Sequence, residues 1–420
     1  MERLANDCFA NASEMISANE ALNKISSAAS LIVGTETCSL PKAKNRHLAE
    51  DIIAPRNVPL FDNSAVDGFA FRYSSDQDQD TGEAPRIVFG QSTAGHPLAE
   101  APPPDTVVKI LTGALMPDGF DTVAMIEDVS FAGDNVILPP HLKLGANRRK
   151  AGEDVREGQV LLKRGSSLRA QELGYLASVG IDAVRVFKRL KVAVFSTGDE
   201  LINPGEAIFT GSIYDSNRII LTTLLESYGC KVTDLGILRD ERQTVRNALK
   251  GAAETHDLVI TSGGVSMGEE DHVKTALSET GQLHFWRIAI KPGRPLALGQ
   301  IGNTAFIGLP GNPIAALVCS LKFVRPLIGI LSGWGIDPPL SFQAKADFTM
   351  KKKPGRTEWL RGRYTPAKDD VGIAEKYHTE GSGILSSAVW ANGLIEIGDD
   401  VTYIENGDMV TFLPFSELMR

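Results

Sequence analysis

Cysteine is scarce in this sequence, and its cysteines form no closely spaced pair. The four cysteines, Cys8, Cys38, Cys230 and Cys319, are separated by long stretches of chain. Zinc ribbons need CxxC-type pairs, and disulfide-stapled domains need far more cysteines per residue. We therefore expect reduced cytosolic thiols. The 420 residues suffice for about three domains with cores of their own.

Long apolar runs and an excess of basic residues are also missing. The longest apolar run, Ile314 to Leu321, ends at Lys322 and is shorter than the roughly 18 residues that span a bilayer. The N-terminus has no basic segment followed by an apolar one, so no secretory signal is predicted. The net charge is −9, which disfavours general binding to nucleic acid or anionic membranes. We expect a cytoplasmic protein with neither as a partner.

Several common catalytic motifs are absent. None of the seven histidines lies at HExxH or HxxxH spacing, which disfavours a zinc hydrolase. The sequence has no Walker A motif, so a P-loop ATPase is not indicated. No GxGxxG motif opens the segment that alternates strands and helices, which disfavours a dinucleotide-dependent oxidoreductase.

The order of apolar patterns predicts several domains of different class. A helix is predicted over residues 13–32, and short apolar runs between Gly, Pro and Asp clusters predict a β-rich module from Val58 to about Lys188. From Arg189 to about Leu331, buried strands alternate with helices, which predicts a mostly parallel sheet covered by helices. Strands return after this segment, and Val401–Ile404 with Met409–Leu413 reads as a hairpin.

Two glycine loops follow strands of the predicted parallel sheet. Residues 261–268 (TSGGVSMG) come directly after a buried strand and lead into a helix, and residues 309–313 (LPGNP) repeat this arrangement. Glycines let backbone N–H groups approach an anion, and a helix N-terminus adds a favourable dipole. Each loop alone is equally consistent with an ordinary strand-to-helix turn. Two of them on one sheet edge favour an anion site.

Charged residues accompany these loops. Lys291 and Arg294 flank a glycine turn (IKPGRP), which suits a phosphate or an oxyanion, although a solvated basic loop is the alternative. Carboxylates cluster at the predicted strand ends, and beside a phosphate they suit Mg²⁺. Each of them alone is also compatible with a helix cap, and Asp215 fits that role best because it precedes a predicted helix. The carboxylates are Glu200, Asp215, Asp240 and Asp271.

Ten segments, in order, resemble the molybdopterin molybdenumtransferase family, which includes the C-terminal part of gephyrin. The resemblance runs from about Arg46 to the end of the chain. The segments are PLFDNSAVDGFA, LTGALMPDGFDTVAMIED, GANRRKAGED, STGDEL, YDSN, TSGGVSMGEED, IKPGRP, LPGNP, WLRGR and ILSSAVWANGL.

The resemblance implies a multidomain fold of α/β plus β class. A three-layer α/β molybdopterin-binding domain would carry a β-rich inserted domain and a C-terminal β domain. The implied ranges are 35–53 and 159–185 for a linking domain I, 54–158 for β-rich domain II, 12–34 and 186–338 for α/β domain III, and 339–420 for domain IV.

The resemblance also implies an activity and its partners. The family inserts molybdate into adenylylated molybdopterin, with Mg²⁺-dependent release of AMP, to give molybdenum cofactor. The chain would form a homodimer whose cleft is shared between the α/β domain of one subunit and the β-rich domain of the other. Contacts with a molybdopterin adenylyltransferase and with apo-molybdoenzymes are further partners that the resemblance implies.

Site residues carry over by motif. The catalytic set would be Asp67, Thr112, Glu200, Asp271 and Lys291, and the metal ligands Glu200, Asp240 and Asp271. The residues that bind the molybdopterin substrate or molybdate would be Ser262, Gly263, Gly264, Ser266, Lys291, Arg294, Pro295, Gly311, Asn312, Arg361, Ser386 and Ser387.

Two positions depart from the family pattern. The family loop commonly reads KPGKP, whereas here the second cation is Arg294, a planar donor in place of a point charge. The family commonly has serine where Ala315 stands. These departures leave open a paralogue that is tungstate-selective or has a specialised role. Two further alternatives to the transferase do not depend on them: a non-catalytic carrier or scaffold for the cofactor, and adenylyl transfer to molybdopterin. The acidic set speaks against a carrier, and the two β domains speak against an adenylyltransferase.

Overall fold

A computed structural model describes residues 15–419 except 74–83, 265–271, 294 and 369. The chain divides into two compact units. The first contains Met1–Thr37, Asn45–Ala49 and Arg185–Arg420, and the second contains Cys38–Lys44 and Glu50–Val184. The strands Thr35–Ser39 and Ala183–Phe187 lie where the chain passes from one unit to the other. The finer division into four domains stays a prediction.

The first unit contains a six-stranded central sheet, and the predicted α/β class is confirmed. Four strands are parallel, and the last two of the order are antiparallel to their neighbours. The strand predicted at Leu258–Ser262 has those bounds. In spatial order the strands are Lys231–Leu238, Lys191–Thr197, Leu258–Ser262, Thr304–Leu309, Pro295–Ile301 and Gly281–Arg287.

Helices cover both faces of the central sheet, which gives three layers. Successive residues of the strand Lys191–Thr197 point to opposite faces: Val192 and Val194 join one hydrophobic core, while Ala193 and Phe195 join the other. This explains why the strand reads as a continuous apolar run. The helices on the first face are Ala18–Ala28, Asn217–Ser227 and Pro313–Ser332; those on the second are Arg242–Thr255 and His272–Thr280.

One helix differs from its predicted bounds, and another contains an irregular turn. The N-terminal helix spans Ala18–Ala28 rather than residues 13–32, because Ser17 caps it by accepting a hydrogen bond from the Glu20 N–H at 3.1 Å. The helix Pro313–Ser332 runs through a π-helical stretch, Ser320–Val324. It is long and apolar enough to cross a membrane by length and composition, but 83% of its most apolar window is buried in the protein core. Burial of this kind is typical of a core helix.

The C-terminal part of the first unit forms a second six-stranded sheet. Pairing between Thr357–Thr365 and Gly393–Ile397 closes five strands into a ring, and Ile290–Lys291 adds to its edge by parallel pairing with Thr357 and Glu358. The other strands of the ring are Ile373–Lys376, Phe342–Ala346 and Met409–Pro414. Two short helices, Ser386–Trp390 and Phe415–Leu418, accompany it.

The hairpin predicted near the C-terminus is wrong. Tyr403–Ile404 pairs with Met350–Lys351, whereas Met409–Pro414 pairs with Phe342–Ala346 and Gly393–Ile397. A turn does join the two segments, closed by a hydrogen bond from the Asp408 N–H to the Glu405 carbonyl. The turn residues alone indicated a hairpin, but each strand buries its apolar side against a more distant partner.

The second unit is rich in short strands, as the sequence predicted. Its four-stranded sheet runs Val88–Ser92, Val107–Ile110, Gly68–Phe71 and Thr122–Met125. Its helices are the 3₁₀ turn Leu40–Lys42 and Ala170–Ser178. Its described residues also form three antiparallel pairs of strands: Asn63–Ser64 with Arg148–Arg149, Ile52–Ile53 with Val160–Leu162, and Ser130–Ala132 with Asn135–Ile137.

Candidate functional site

A cleft of about 660 Å³ opens at the carboxyl edge of the central sheet. Because four neighbouring strands are parallel, the loops that follow them emerge on the same edge, where ligands of open α/β sheets bind. The first unit's small parallel pair, Leu201–Ile202 with Ile213–Tyr214, lies beside the cleft and supplies Leu201 and Ile213 to its wall. The strand-end residues in the lining are Thr197, Gly198, Glu200, Asp240, Ser262, Gly263, Gly264, Pro310, Gly311 and Asn312.

The two predicted glycine loops meet in this cleft. Gly263 donates its N–H to the Leu309 carbonyl at 3.1 Å, which ties the first loop to the strand that precedes the second. Gly263 and Gly264 have φ of +88° and +65°, a region that favours glycine. Asn312 takes the N-cap position of the helix that follows, and its side chain makes no capping hydrogen bond there. The loops therefore present backbone and amide groups to the cleft.

Asn217 joins the two loops and was not singled out from the sequence. It begins the helix Asn217–Ser227 and is 8% exposed. Its Nδ2 donates to the Ser262 Oγ and to the Gly311 carbonyl, both at 2.7 Å. In the sequence, Asn217 stood out only as the last residue of the segment YDSN, in which Asp215 was the candidate ligand. Sequence spacing could not show that Asn217 reaches both loops.

We expect Asn217→Ala to weaken ligand binding in the cleft about tenfold and to lower the free energy of unfolding by about 1–3 kcal/mol, because two buried acceptors lose their donor. Titration calorimetry with a phosphate-bearing ligand and urea unfolding measure the two effects. Asn247→Ala is the matched control, since Asn247 lies exposed on the helix Arg242–Thr255. A wild-type affinity for Asn217→Ala would contradict the role of Asn217 in joining the loops.

The predicted carboxylates have different surroundings. Glu200 and Asp240 both line the cleft. Asp215 is 2% exposed, accepts a hydrogen bond from the Arg218 N–H at 3.2 Å and ion-pairs with the Arg218 Nε at 3.1 Å. Asp215 is thus a helix-capping residue, the alternative that the sequence left open. Asp271 lies outside the described residues.

Metal-ligand candidates are few in the described part of the chain. No group of three or more His, Cys, Asp or Glu side chains there is placed to hold a metal ion alone. Glu200 and Asp240 supply two oxygen-donor side chains to one cleft. This pair suits Mg²⁺, which prefers oxygen ligands and keeps waters and substrate phosphates in its shell.

Lys291 also lines the cleft, from the strand that joins the C-terminal sheet. Its Nζ contacts the Glu358 Oε2 at 3.2 Å and the Glu380 Oε2 at 2.5 Å. Burial alone would lower the pKa of Lys291, but the hydrogen bonds and charges of both glutamates raise it above its ordinary value. The lysine therefore stays protonated.

The C-terminal sheet supplies residues to the cleft that sequence reasoning missed. Arg356, Glu380 and Ser382 line it, although only the WLRGR and ILSSAVWANGL segments of this part had been considered. The Ile314 N–H at the start of the long helix donates to the Ser382 carbonyl at 3.0 Å, which anchors this segment beside the glycine loops. Ala315, one of the two positions that depart from the pattern of the resembled family, also lines the cleft.

Arg361 and Ser387 are buried behind this segment. Arg361 is 2% exposed; its Nε donates to the Ser387 Oγ at 2.9 Å, and its Nη2 donates to the carbonyls of Thr379 and Gly381 at 3.1 and 3.3 Å. Both are absent from the described lining of the cleft, and Ser386 is exposed at the start of a short helix. In this structure Arg361 positions the backbone on both sides of Glu380.

The predicted residues of the second unit form a pair of their own. The Asp67 Oδ1 accepts hydrogen bonds from the Thr112 N–H and Oγ1, both at 2.7 Å. The backbone bond first, and then the side-chain bond, lower the pKa of Asp67. The carboxylate is exposed and ionised.

Three further predicted residues, Ser266, Asp271 and Arg294, lie outside the described residues, and Pro295 is described only as the first residue of a strand.

Family models match three consecutive parts of the chain. Residues 16–180 match the MoeA N-terminal region (domain I and II), residues 193–329 match a probable molybdopterin binding domain, and residues 343–415 match the MoeA C-terminal region (domain IV). The cleft lining combines residues from the second and third of these matches.

Curated relatives and solved structures match over nearly the whole length. A molybdopterin molybdenumtransferase from Haemophilus influenzae is 42% identical, over 96% of this chain and 100% of the relative. A molybdopterin molybdenumtransferase 2 from Mycobacterium tuberculosis is 31% identical, over 88% of this chain and 93% of the relative. The crystal structure of a molybdopterin biosynthesis MoeA protein from Pyrococcus horikoshii has 30% identity and a TM-score of 0.82, over 96% of this chain and 100% of that chain.

Proposed function

The chain belongs to the molybdopterin molybdenumtransferase family, and from this premise we propose that it transfers molybdenum to molybdopterin in molybdenum cofactor synthesis. The proposed substrates are adenylylated molybdopterin and molybdate, and the proposed products are molybdenum cofactor and AMP. The observation that carries the proposal is the meeting of two glycine loops, two carboxylates and Lys291 in one cleft.

The glycine loops suit the phosphates of the adenylylated substrate. The loop at Gly264 and the start of the helix after Asn312 line an edge at which anions are stabilised by peptide dipoles. Adenylate hydrolysis adds water across the phosphoanhydride, so that one P–O bond breaks, AMP leaves and the molybdopterin phosphate remains. Fixed donors in the cleft stabilise the charge that develops on the phosphoryl oxygens.

Glu200 and Asp240 would hold Mg²⁺ in this cleft, with Asp271 as the third predicted ligand. Two carboxylates in the lining of one cleft fit an ion that takes its other ligands from water and phosphate. When bound, the ion supplies positive charge to the phosphoanhydride. The chain's own contribution is to place these carboxylates at the ends of two neighbouring parallel strands.

Lys291 would bind the molybdate dianion. It is the charged group of the IKPGRP loop that the structure describes, and it faces the cleft with Pro292 and Gly293. Arg294 is the second cation of the proposed pocket. In the transfer, the two dithiolene thiols replace one oxo ligand of molybdate, which leaves as water, so molybdenum keeps its oxidation state. A fixed ammonium group orients the oxyanion for this exchange.

Release of AMP tests the proposal directly. Purified protein is incubated with adenylylated molybdopterin and Mg²⁺, with molybdate, with tungstate and with neither. Molybdate-dependent AMP release is the expected result. Tight binding of the pterin without AMP release would identify a carrier instead, and release with tungstate alone would identify a tungstate-selective enzyme.

We also propose that the chain acts as a homodimer, with Asp67 and Thr112 of one subunit serving the α/β cleft of the other. The exposed and ionised Asp67 carboxylate is available for such a role. An Asp67→Asn variant and a Glu200→Gln variant are each expected to lose activity about 100-fold. Mixed after subunit exchange, they should recover up to about a quarter of wild-type activity, because one cleft per hybrid dimer contains neither substitution.

Sedimentation and labelled-subunit exchange supply the control for this mixture. A monomer, or a mixture that exchanges subunits without regaining activity, would contradict the shared site. Two Asp67→Asn preparations mixed in the same way provide the baseline.

A further inference from the structure

The main cation of the proposed oxyanion pocket is already neutralised by the protein itself. Two carboxylates contact the Lys291 Nζ, Glu358 at 3.2 Å and Glu380 at 2.5 Å. Such partners stabilise the ammonium group, but an incoming dianion meets two negative charges beside its binding group. The question is which of the two carboxylates gives way.

Glu358 is a permanent partner of Lys291. It is 1% exposed and lies opposite Lys291 in the parallel pairing of Ile290–Lys291 with Thr357–Glu358. Its second oxygen lies 3.6 Å from the Arg356 Nη2. The backbone pairing of the two strands holds both residues in place. If the Glu358 carboxylate moved away from Lys291, a buried negative charge would be left without its partner, which is costly.

Glu380 is held far less firmly. Its side chain is 35% exposed, and it lies in a segment without regular secondary structure. Arg361 holds the carbonyls of Thr379 and Gly381 on either side, so the backbone is positioned, while the side chain is partly exposed and held by ion pairs with lysines. The Glu380 Oε1 already lies 3.9 Å from the Lys376 Nζ. A second ammonium group is thus in place to receive the carboxylate when it leaves Lys291.

We propose that Glu380 is an internal competitor for the oxyanion: its carboxylate occupies Lys291 in the free protein and moves toward Lys376 when the oxyanion binds. This inference rests on the proposed function for the identity of the oxyanion, and it adds a residue that sets the affinity. The hydrogen bond from Lys291 lowers the pKa of Glu380, so the competitor is ionised at neutral pH. Its removal should strengthen oxyanion binding, whereas removal of an ordinary ligand would weaken it.

Direct binding of molybdate to the full chain, without the pterin, tests the inference. Titration calorimetry on Glu380→Gln is expected to show a dissociation constant about tenfold lower than that of the wild type. Glu380→Ala serves as a second variant that lacks both the charge and the amide, and it should show the same direction. The double variant Glu380→Gln with Lys291→Met should lose the gain, because the competition takes place at Lys291.

Glu405→Gln is the matched control. It removes the same charge from an exposed turn of the C-terminal part and should leave the dissociation constant unchanged. Thermal unfolding of every variant shows whether a change in binding follows from a change in stability.

The outcomes separate this inference from the proposed function. Unchanged or weaker binding by Glu380→Gln, or no molybdate binding by either protein, would overturn the competitor role. If wild-type protein releases AMP with molybdate while Glu380→Gln binds no tighter, the function stands and the inference fails. If Glu380→Gln binds molybdate more tightly while no protein releases AMP, the competitor role stands and the transferase proposal fails.

Discussion

Gly263→Ala is expected to lower the free energy of unfolding of the first unit by about 3 kcal/mol or more and to abolish ligand binding in the cleft. An alanine Cβ at this position would lie 2.6 Å from the Thr197 carbonyl oxygen. That oxygen belongs to the neighbouring strand Lys191–Thr197, so the clash cannot be relieved by rotating a side chain. The φ of +88° adds backbone strain, and overpacking of fixed backbone costs a further 1–3 kcal/mol or so.

Gly302→Ala is the control for this substitution. Gly302 also has a positive φ, +56°, but a Cβ there would meet no atom within 4 Å. Only the strain of the left-handed conformation, about 1 kcal/mol, is expected. Urea unfolding and titration with a molybdopterin ligand measure both variants. If both substitutions lowered the free energy of unfolding equally, the close approach of Gly263 to Thr197 would not contribute to the effect.

Lys291→Met is expected to reduce molybdate-dependent AMP release at least 100-fold, equivalent to about 2.7 kcal/mol of transition-state stabilisation. Methionine retains much of the apolar length of lysine but supplies no charge for a dianion. The substitution also leaves the nearly buried Glu358 without its Nζ donor, which should cost about 1–3 kcal/mol of stability. The assay must therefore be run well below the unfolding temperature of the variant.

Lys345→Met is the control for Lys291→Met, because it removes a lysine charge that lies elsewhere in the same unit. Lys345 pairs with Asp370 in the C-terminal part, and both side chains are largely solvated, at 39% and 58% exposure. Exposed pairs contribute little, so stability should change by less than about 0.5 kcal/mol and AMP release should not change. More than half of wild-type AMP release by Lys291→Met would remove Lys291 from the proposed oxyanion pocket.

The central sheet was predictable because the burial of its strands is visible in their sequence. Lys191–Thr197 and Leu258–Ser262 are covered by helices on both faces, so each reads as an apolar run bounded by polar loops. The C-terminal strands carry weaker signals. Tyr403–Ile404 and Met409–Pro414 are separated by turn residues that suit a hairpin, yet each pairs elsewhere. Turn chemistry is local, whereas strand pairing depends on apolar faces far apart in the chain.

The candidate site divides in the same way. Glycine loops and carboxylates after parallel strands could be assigned to one edge before the structure was known, because parallel strands share a direction. Asn217, Glu358 and Glu380 could not be assigned. Asn217 acts by spanning two loops that lie 45 and 94 residues away along the chain, and no periodicity reports such a reach.

Composition, apolar periodicity and the placement of glycine and charge were enough to predict an α/β unit and to propose an anion site at one edge of its sheet, since these properties are local and repeat with the geometry of strands and helices. The carboxylates that surround the Lys291 ammonium group were determined only by the tertiary structure. Parallel pairing of Ile290–Lys291 with Thr357–Glu358 sets a buried carboxylate beside the ammonium group, and the segment held by Arg361 adds Glu380. Long-range register created this charge balance, because it brings together side chains that the linear order keeps 67 and 89 residues apart.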